Sequence, residues 1–340
     1  MKSLFKITAV SCLLTLAVNQ SYAQIDFDSF LEAGVEDANR LLESYMEPAF
    51  VGFGIGMNSG WYNTAKPHKF LGFDLNVSIS AAKVPDSKQF FTFRDADYNN
   101  VRLSNPNDNR LPTLFGPNLG ADDLPELTFL DPNSGQELVR ITSPTGLGID
   151  EDLPINAVPV PMIQLGVGLF KGTEVKLRYI PEQNFDDNGE DQGSVKLFGI
   201  GVMHDIKSIL PADKLLPFDL SLFVGYTSLT SNVYVDADAN QFAEFDASAI
   251  TAQVVASKKL AILTAFAGVG YAKSDIDFGL KGNYTTETTT YTDPINFNFS
   301  NSGLRANVGF RLRLLIFNIS GEYAIQEYNT YTLGFGVGFR

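Results

Sequence analysis

From residue 49 onward the chain alternates apolar with small or polar residues at a period of two, in stretches of about ten residues. The last stretch shows it most plainly, with Tyr331, Leu333, Phe335, Val337 and Phe339 interleaved with Thr332, Gly334, Gly336 and Gly338. Successive side chains of a β-strand point to opposite faces, so each stretch carries one apolar and one polar face. A tilted strand crosses a bilayer in about 9–11 residues. Repeated crossings of this kind predict an all-β chain, a transmembrane antiparallel β-barrel.

The pattern recurs along the chain. Val51, Phe53, Ile55 and Met57 alternate with Gly52, Gly54 and Gly56, and Leu71, Phe73, Leu75, Val77 and Ile79 follow. Similar runs begin near Ile163, Val175, Phe198, Leu220, Ala247, Leu263, Leu304 and Phe317. Connections at 82–88, 171–172 and 257–259 are short, while 58–69, 94–159, 181–193, 230–244 and 276–300 are long and polar. Short periplasmic turns facing long extracellular loops are the outer-membrane arrangement, and the strand count comes to about 12, or about 14 if 127–130 and 138–142 form another hairpin. A soluble β-sandwich also alternates, but its strands average about five or six residues and its solvent face is charged. Here the non-apolar face is mostly Gly, Ser and Asn, and Tyr179, Tyr226, Tyr271, Tyr323 and Tyr331 are placed as an aromatic girdle.

Residues 1–23 read as a secretory signal peptide. Lys2 and Lys6 precede an apolar run over 7–18, and Ser21-Tyr22-Ala23 is a small-x-small cleavage site. The run is too short for a membrane helix, which needs about 20 apolar residues. The leader holds Cys12, the single cysteine, so disulfides are not expected to support the fold. It also holds two of the 25 basic residues and none of the 39 acidic ones, which takes the net charge from −14 to −16. Nucleic-acid binding needs a basic footprint and is excluded on that charge.

Residues 24–48 read as an amphipathic helix. Phe30, Leu31, Val35, Ala38, Leu41, Leu42 and Tyr45 share a face, and Pro48 is expected to end the helix. The barrel is then expected over 49–340. A barrel of this size needs either water or a plug in its lumen. Gly52, Gly54 and Gly56 on the first strand and Gly334, Gly336 and Gly338 on the last would form a wall without side chains. Against it the helix could pack as a plug; the alternative places the helix in the periplasm.

Six charges fall on the polar strand faces and are expected to line the lumen: Asp74, Lys176, Arg178, Arg305, Arg311 and Glu322. They form either a polar eyelet that selects solutes or a set of ion pairs fixing the plug; the structural role is favoured. No catalytic site is expected. His68 and His204 are the only histidines, they are expected at opposite ends of the barrel, and neither belongs to a Ser- or Cys-based motif. Zinc or haem ligation is not expected either. Asp236-Ala237-Asp238-Ala239-Asn240 starts like an EF-hand loop, but Gln241 stands where Gly is needed and Ala247 where the bidentate Glu belongs. The 186–191 acidic cluster has no ligand spacing, and both segments read as solvated loops. Trp61 and Tyr62 are expected at the membrane surface.

The helix before the barrel, the His204-Asp205-Ile206-Lys207 turn followed by Leu215-Leu216-Pro217-Phe218-Asp219-Leu220, and the terminal Gly-alternating strand resemble uncharacterised Gram-negative outer-membrane barrel proteins. More distantly the layout is similar to the long-chain fatty acid outer-membrane transporter family, which implies a 14-stranded barrel with an N-terminal plug. That family's Asn-Pro-Phe-like start is replaced here by Gln24-Ile25-Asp26-Phe27. The expected function is passive uptake of a small, hydrophobic molecule through a barrel in the cell outer membrane, without a cofactor. Expected partners are outer-membrane lipid and lipopolysaccharide, a small lipophilic ligand, and the barrel-assembly machinery through the C-terminal strand. The alternatives are a structural or adhesive barrel acting through its extracellular loops, and a general porin.

Overall fold

The computed structural model describes residues 31–149, 153–187, 190–207, 216–237, 239–286 and 289–339. The leader and the first part of the expected 24–48 helix, up to residue 30, lie outside the described residues. Ten antiparallel strands close into a barrel. In chain order they are β1 (Phe73–Lys83), β2 (Ala157–Gly168), β3 (Thr173–Asp187), β4 (Glu190–Asp205), β5 (Asp219–Asp236), β6 (Gln241–Leu260), β7 (Leu263–Lys281), β8 (Ile295–Leu314), β9 (Phe317–Ile325) and β10 (Thr330–Phe339). Each pairs with its chain neighbour, and β1 also pairs with β10, Phe73 opposite Phe339 and Ala82 opposite Thr330. The first and last strands of the ring are therefore both paired, and neither is left as a free terminal strand.

Ten strands form the ring where about 12, or 14 with the extra hairpin, were expected: of the eleven runs named above one is not a strand, and the extra hairpin does not join the barrel. Val101–Leu103, Glu126–Leu130 and Glu137–Thr142 pair with one another in a separate small sheet, too short to cross a bilayer. The expected first strand, from Val51 to Met57, is helical. It belongs to α1 (Val35–Met57), which continues through Pro48. Period alone read this segment as a strand, but a ring closed by β1 and β10 has no free terminal strand to pair with it, whereas a helix satisfies its own backbone. The boundary between helix and barrel expected at 48/49 moves accordingly: the helix ends at Met57 and the barrel begins at Phe73.

Short turns at 169–172, 261–262 and 315–316, together with the start of β1 and the end of β10, define one end of the barrel, here the turn end. The opposite, loop end carries the 84–156 excursion and the tips of the long hairpins. α1 lies in the lumen, contacting β1, β2, β6, β7 and β8, and the chain then runs through 58–72 to the turn end before β1 turns back. At its N-terminal end α1 is tied to the 84–156 excursion. Asp37 accepts hydrogen bonds from the amides of Asn99 (2.9 Å) and Asn100 (2.6 Å), and Lys88 pairs with Glu47 at 2.6 Å.

The polarity of the wall inverts part-way along the tall strands. On β8 the outward residues Phe310, Val308, Ala306 and Leu304 are apolar, and Ser302, Ser300, Asn298 and Asn296 above them are polar. Inward residues do the opposite, from Arg305 and Asn307 to Phe299, Phe297 and Ile295. β7 changes in register, Tyr271 lying opposite Leu304 and Lys273 opposite Ser302. The lower part is thus apolar outside and polar inside, as a lipid-embedded barrel requires. The upper part is polar outside with an apolar core, as a water-exposed barrel requires. β5 to β8 run to 18, 20, 19 and 20 residues, about twice a bilayer crossing, because they build both parts. The segments expected as long polar loops at 230–244 and 276–300 are therefore largely continued strand.

Candidate functional site

The lumen gathers the buried charges and the aromatic residues of the fold. In its upper part the core forms around Phe50 of α1, whose ring centroid lies 5.4 Å from those of Phe245, Phe278 and Phe299. One face of α1 is stripped to glycine where it meets the wall. A Cβ on Gly52 would lie 2.5 Å from Val158 Cγ2, and one on Gly56 would collide with Val160. Gly54, on another face, approaches Ser274 and Ile276.

Below Met57 the segment 58–66 is held from almost every side. α1 ends with no basic residue in its last turn, leaving carbonyls to be satisfied from outside. Arg178 of β3 supplies the donors, giving hydrogen bonds to the Met57 carbonyl (2.7 Å) and the Ser59 carbonyl (2.6 Å). Its cation also favours the negative end of the helix dipole. Arg305 donates to Ser59 Oγ at 3.0 Å and pairs with Glu322. Tyr62 donates its one hydroxyl proton within a site formed by Gln253 Oε1 (2.5 Å) and Asn307 Oδ1 (2.9 Å). Gln164 donates to the Trp61 carbonyl at 3.0 Å, Arg311 to Asn63 Oδ1 at 3.1 Å, and Ser257 accepts from the Ala65 amide at 2.9 Å. Trp61 and Tyr62, expected at the membrane surface, are buried here with Phe223 and Phe266, because 58–69 descends through the lumen rather than looping outside.

All six expected lumen charges point inward, and Asp74, Lys176, Arg178, Arg305 and Glu322 are buried. They do not ring an opening. Arg178, Arg305 and Arg311 bind the plug segment, Glu322 neutralises Arg305, and Lys176 pairs with Glu174. The expected glycine wall needs correction. Gly52, Gly54 and Gly56 are on the helix, and Gly334, Gly336 and Gly338 make room for the neighbouring side chains of Ser320, Asn318, Asn76 and Asp74 instead. Among the glycines that receive the plug are Gly201 and Gly225, paired across β4 and β5, where an added Cβ would fall 2.9 and 2.8 Å from the Trp61 ring, and Gly268 of β7, where one would collide with the Tyr62 hydroxyl. Glycines of inward parity in mid-strand were the sequence signal for that seat.

The histidines lie at the same end of the barrel, not at opposite ends. His68 Nδ1 lies 3.1 Å from Glu174 Oε2 and 4.0 Å from Asp74 Oδ1, while His204 Nδ1 meets Thr173 Oγ1 at 2.9 Å. His68, Asp74 and Glu174 are close enough to share a cation. Lys176 already compensates Glu174, so the arrangement suits an ion-paired latch better than a divalent ion. Of the acidic segments, Asp236 Oδ1 accepts from the Ala239 amide at 3.0 Å and closes a hairpin, and Asn240 takes φ 52°. Asp238 and residues 188–189 lie outside the described residues.

Fold and lumen together define a β-barrel whose own N-terminal helix and following segment fill its interior. The chain belongs to the family of unknown function DUF6588, whose model matches residues 1–339. Comparison with curated proteins gives no match. Among solved structures, Ail, the attachment invasion locus protein of Yersinia pestis, is 12% identical over 49% of this chain and 97% of that one, with a TM-score of 0.25. The translocator domain of autotransporter NalP from Neisseria meningitidis is 8% identical over 90% and 99%, TM-score 0.28. The ferric-catecholate import receptor Fiu from E. coli K12 is 9% identical over 78% and 45%, TM-score 0.26. Scores of this size carry no argument about function, and similarity to the long-chain fatty acid transporter family is not shown.

Proposed function

We propose that this chain is an outer-membrane barrel for passive uptake of a small hydrophobic molecule, kept closed at rest by its own plug. The turn end then faces the periplasm and the loop end the exterior. The observation that carries the reading is the apolar, aromatic interior of the upper barrel, which packs around α1 down to Met57. A lipophile partitioning into that interior displaces packing of its own kind rather than hydrogen bonds. A hydrated solute meets the opposite: a helix and a bonded segment across the whole bore, which disfavours the general-porin reading.

The test is uptake of a panel of labelled lipophiles by cells with and without the protein, alongside conductance in planar bilayers. Reduced uptake without the protein, together with low conductance, supports the reading; unchanged uptake across the panel overturns it. A second reading, an adhesive barrel, draws on the water-exposed upper part with its polar outer face. It expects surface binding to fail when the upper hairpins of β5 to β8 are trimmed while the barrel still assembles.

A further inference from the structure

The ring is not sealed equally all round. β2 pairs with β1 along its whole length, from Val167 opposite Phe73 to Ala157 opposite Lys83. With β3 its described ladder runs only from Gly168 opposite Glu174 to Leu165 opposite Leu177, and stops there. β3 continues past that point to Asp187, paired with β4 alone.

The sequences of both strands account for the break. Leu169 donates to Thr173 at 2.7 Å, toward β3, whereas Gly168 donates to Gly72 at 2.8 Å, toward β1. Along β2, odd-numbered residues therefore aim their amides at β3. Pro159 and Pro161 are both odd, Pro181 stands on the facing edge of β3 where that strand is bulged between Ile180 and Gln183, and proline has no amide hydrogen to give. The unzipped side begins within the apolar belt: Ile163, opposite the lipid-facing Val77, is 38% exposed, and Tyr179 across the break is 58% exposed. Open sheet edges do not face lipid in a membrane unless something covers them. Immediately behind, Ile180 packs on the apolar core.

We propose that this seam between β2 and β3 is a lateral portal, occupied by a hydrocarbon chain from the outer leaflet. The surroundings of the break select that occupant, since the seam opens at belt height between apolar side chains and leads to the apolar interior. The proposal rests on the uptake reading for its role but not for its test.

A photo-crosslinking amino acid placed at Ile180 in the full chain, in native outer membranes, reads the seam directly. Ala247 is the control. It faces the same lumen and lies on the same line of paired residues as Ile180, in a stretch where β6 is paired with both β5 and β7. Adducts with lipid acyl chains at position 180 and intrachain adducts alone at 247 are expected. Substituting Pro159→Val, Pro161→Val and Pro181→Val restores donors on both edges and should remove the lipid adducts at 180. Intrachain adducts alone at 180, or equal lipid adducts at both positions, would overturn the portal. Lipid adducts at 180 with unchanged uptake in cells lacking the protein would leave the portal standing and sink the uptake reading.

Discussion

Arg178 stacks on Trp61, its guanidinium carbon 3.6 Å from the ring centroid, while the same guanidinium holds the final carbonyl of α1, at Met57, and that of Ser59 just beyond the helix. One wall residue thus fixes both the end of the helix and the segment after it. Replacing it by Met keeps the volume and removes the charge-assisted hydrogen bonds, each worth about 1.5–3 kcal/mol. Arg178→Met should lower the unfolding temperature seen by gel heat-modifiability and raise single-channel conductance. A variant as stable and as silent as wild type would show that the plug does not depend on this residue.

The glycine face of α1 predicts steric sensitivity. Gly56→Leu drives a side chain into Val160, and overpacking of this kind costs about 1–3 kcal/mol. Assembly into the heat-resistant form should fall. Adding Val160→Ala should recover part of it, because the wall then yields the missing space; no recovery would locate the damage elsewhere.

Plug movement can be locked. A Cβ at Gly54 would lie 2.7 Å from Ser274 Cβ, near enough that Gly54→Cys with Ser274→Cys needs a shift of about 1 Å to reach disulfide spacing. Oxidation should crosslink helix to wall and stop lipophile uptake, and reductant should restore it. If the crosslinked protein takes up lipophile at the normal rate, the cargo passes without moving α1.

The direction of α1 sets a topology test. Glu36, whose side chain is 70% exposed, sits near the loop end, and Leu315, 92% exposed, sits in a turn at the other. A membrane-impermeant maleimide on intact cells should label Glu36→Cys and leave Leu315→Cys unlabelled until the outer membrane is permeabilised. The reverse pattern would invert the barrel's orientation.

Much of the barrel was legible because lipid enforces one simple rule on outward residues. Leu75, Val77, Ile79 and Leu333 announced their strands, and the alternating Lys176 and Arg178 announced the lumen. Two things misled. In 51–57 the glycines at every second position imitate a strand, yet Gly52 and Gly56 also share one helix face, and only the closed ring decides between the two periods. In β7 the apolar residues shift from odd positions up to Tyr271 to even ones from Ala272, so a continuing strand looked like a loop. The period never broke; its phase did, at the point where the environment outside changes from lipid to water. The plug seat at Gly201 and Gly225 was harder to see, since it depends on Trp61 arriving from a distant segment.

The ring closed by β1 and β10 around a helix running from the loop end also constrains how the molecule is made. A rod cannot be pushed sideways into a finished hoop. Residues 35–72 must either lie in place before the first and last strands meet or be drawn through the bore afterwards, end first. On the first route the interface from Phe73–Phe339 to Ala82–Thr330 is a clasp, and its fastening is the step at which the helix becomes a captive of its own chain.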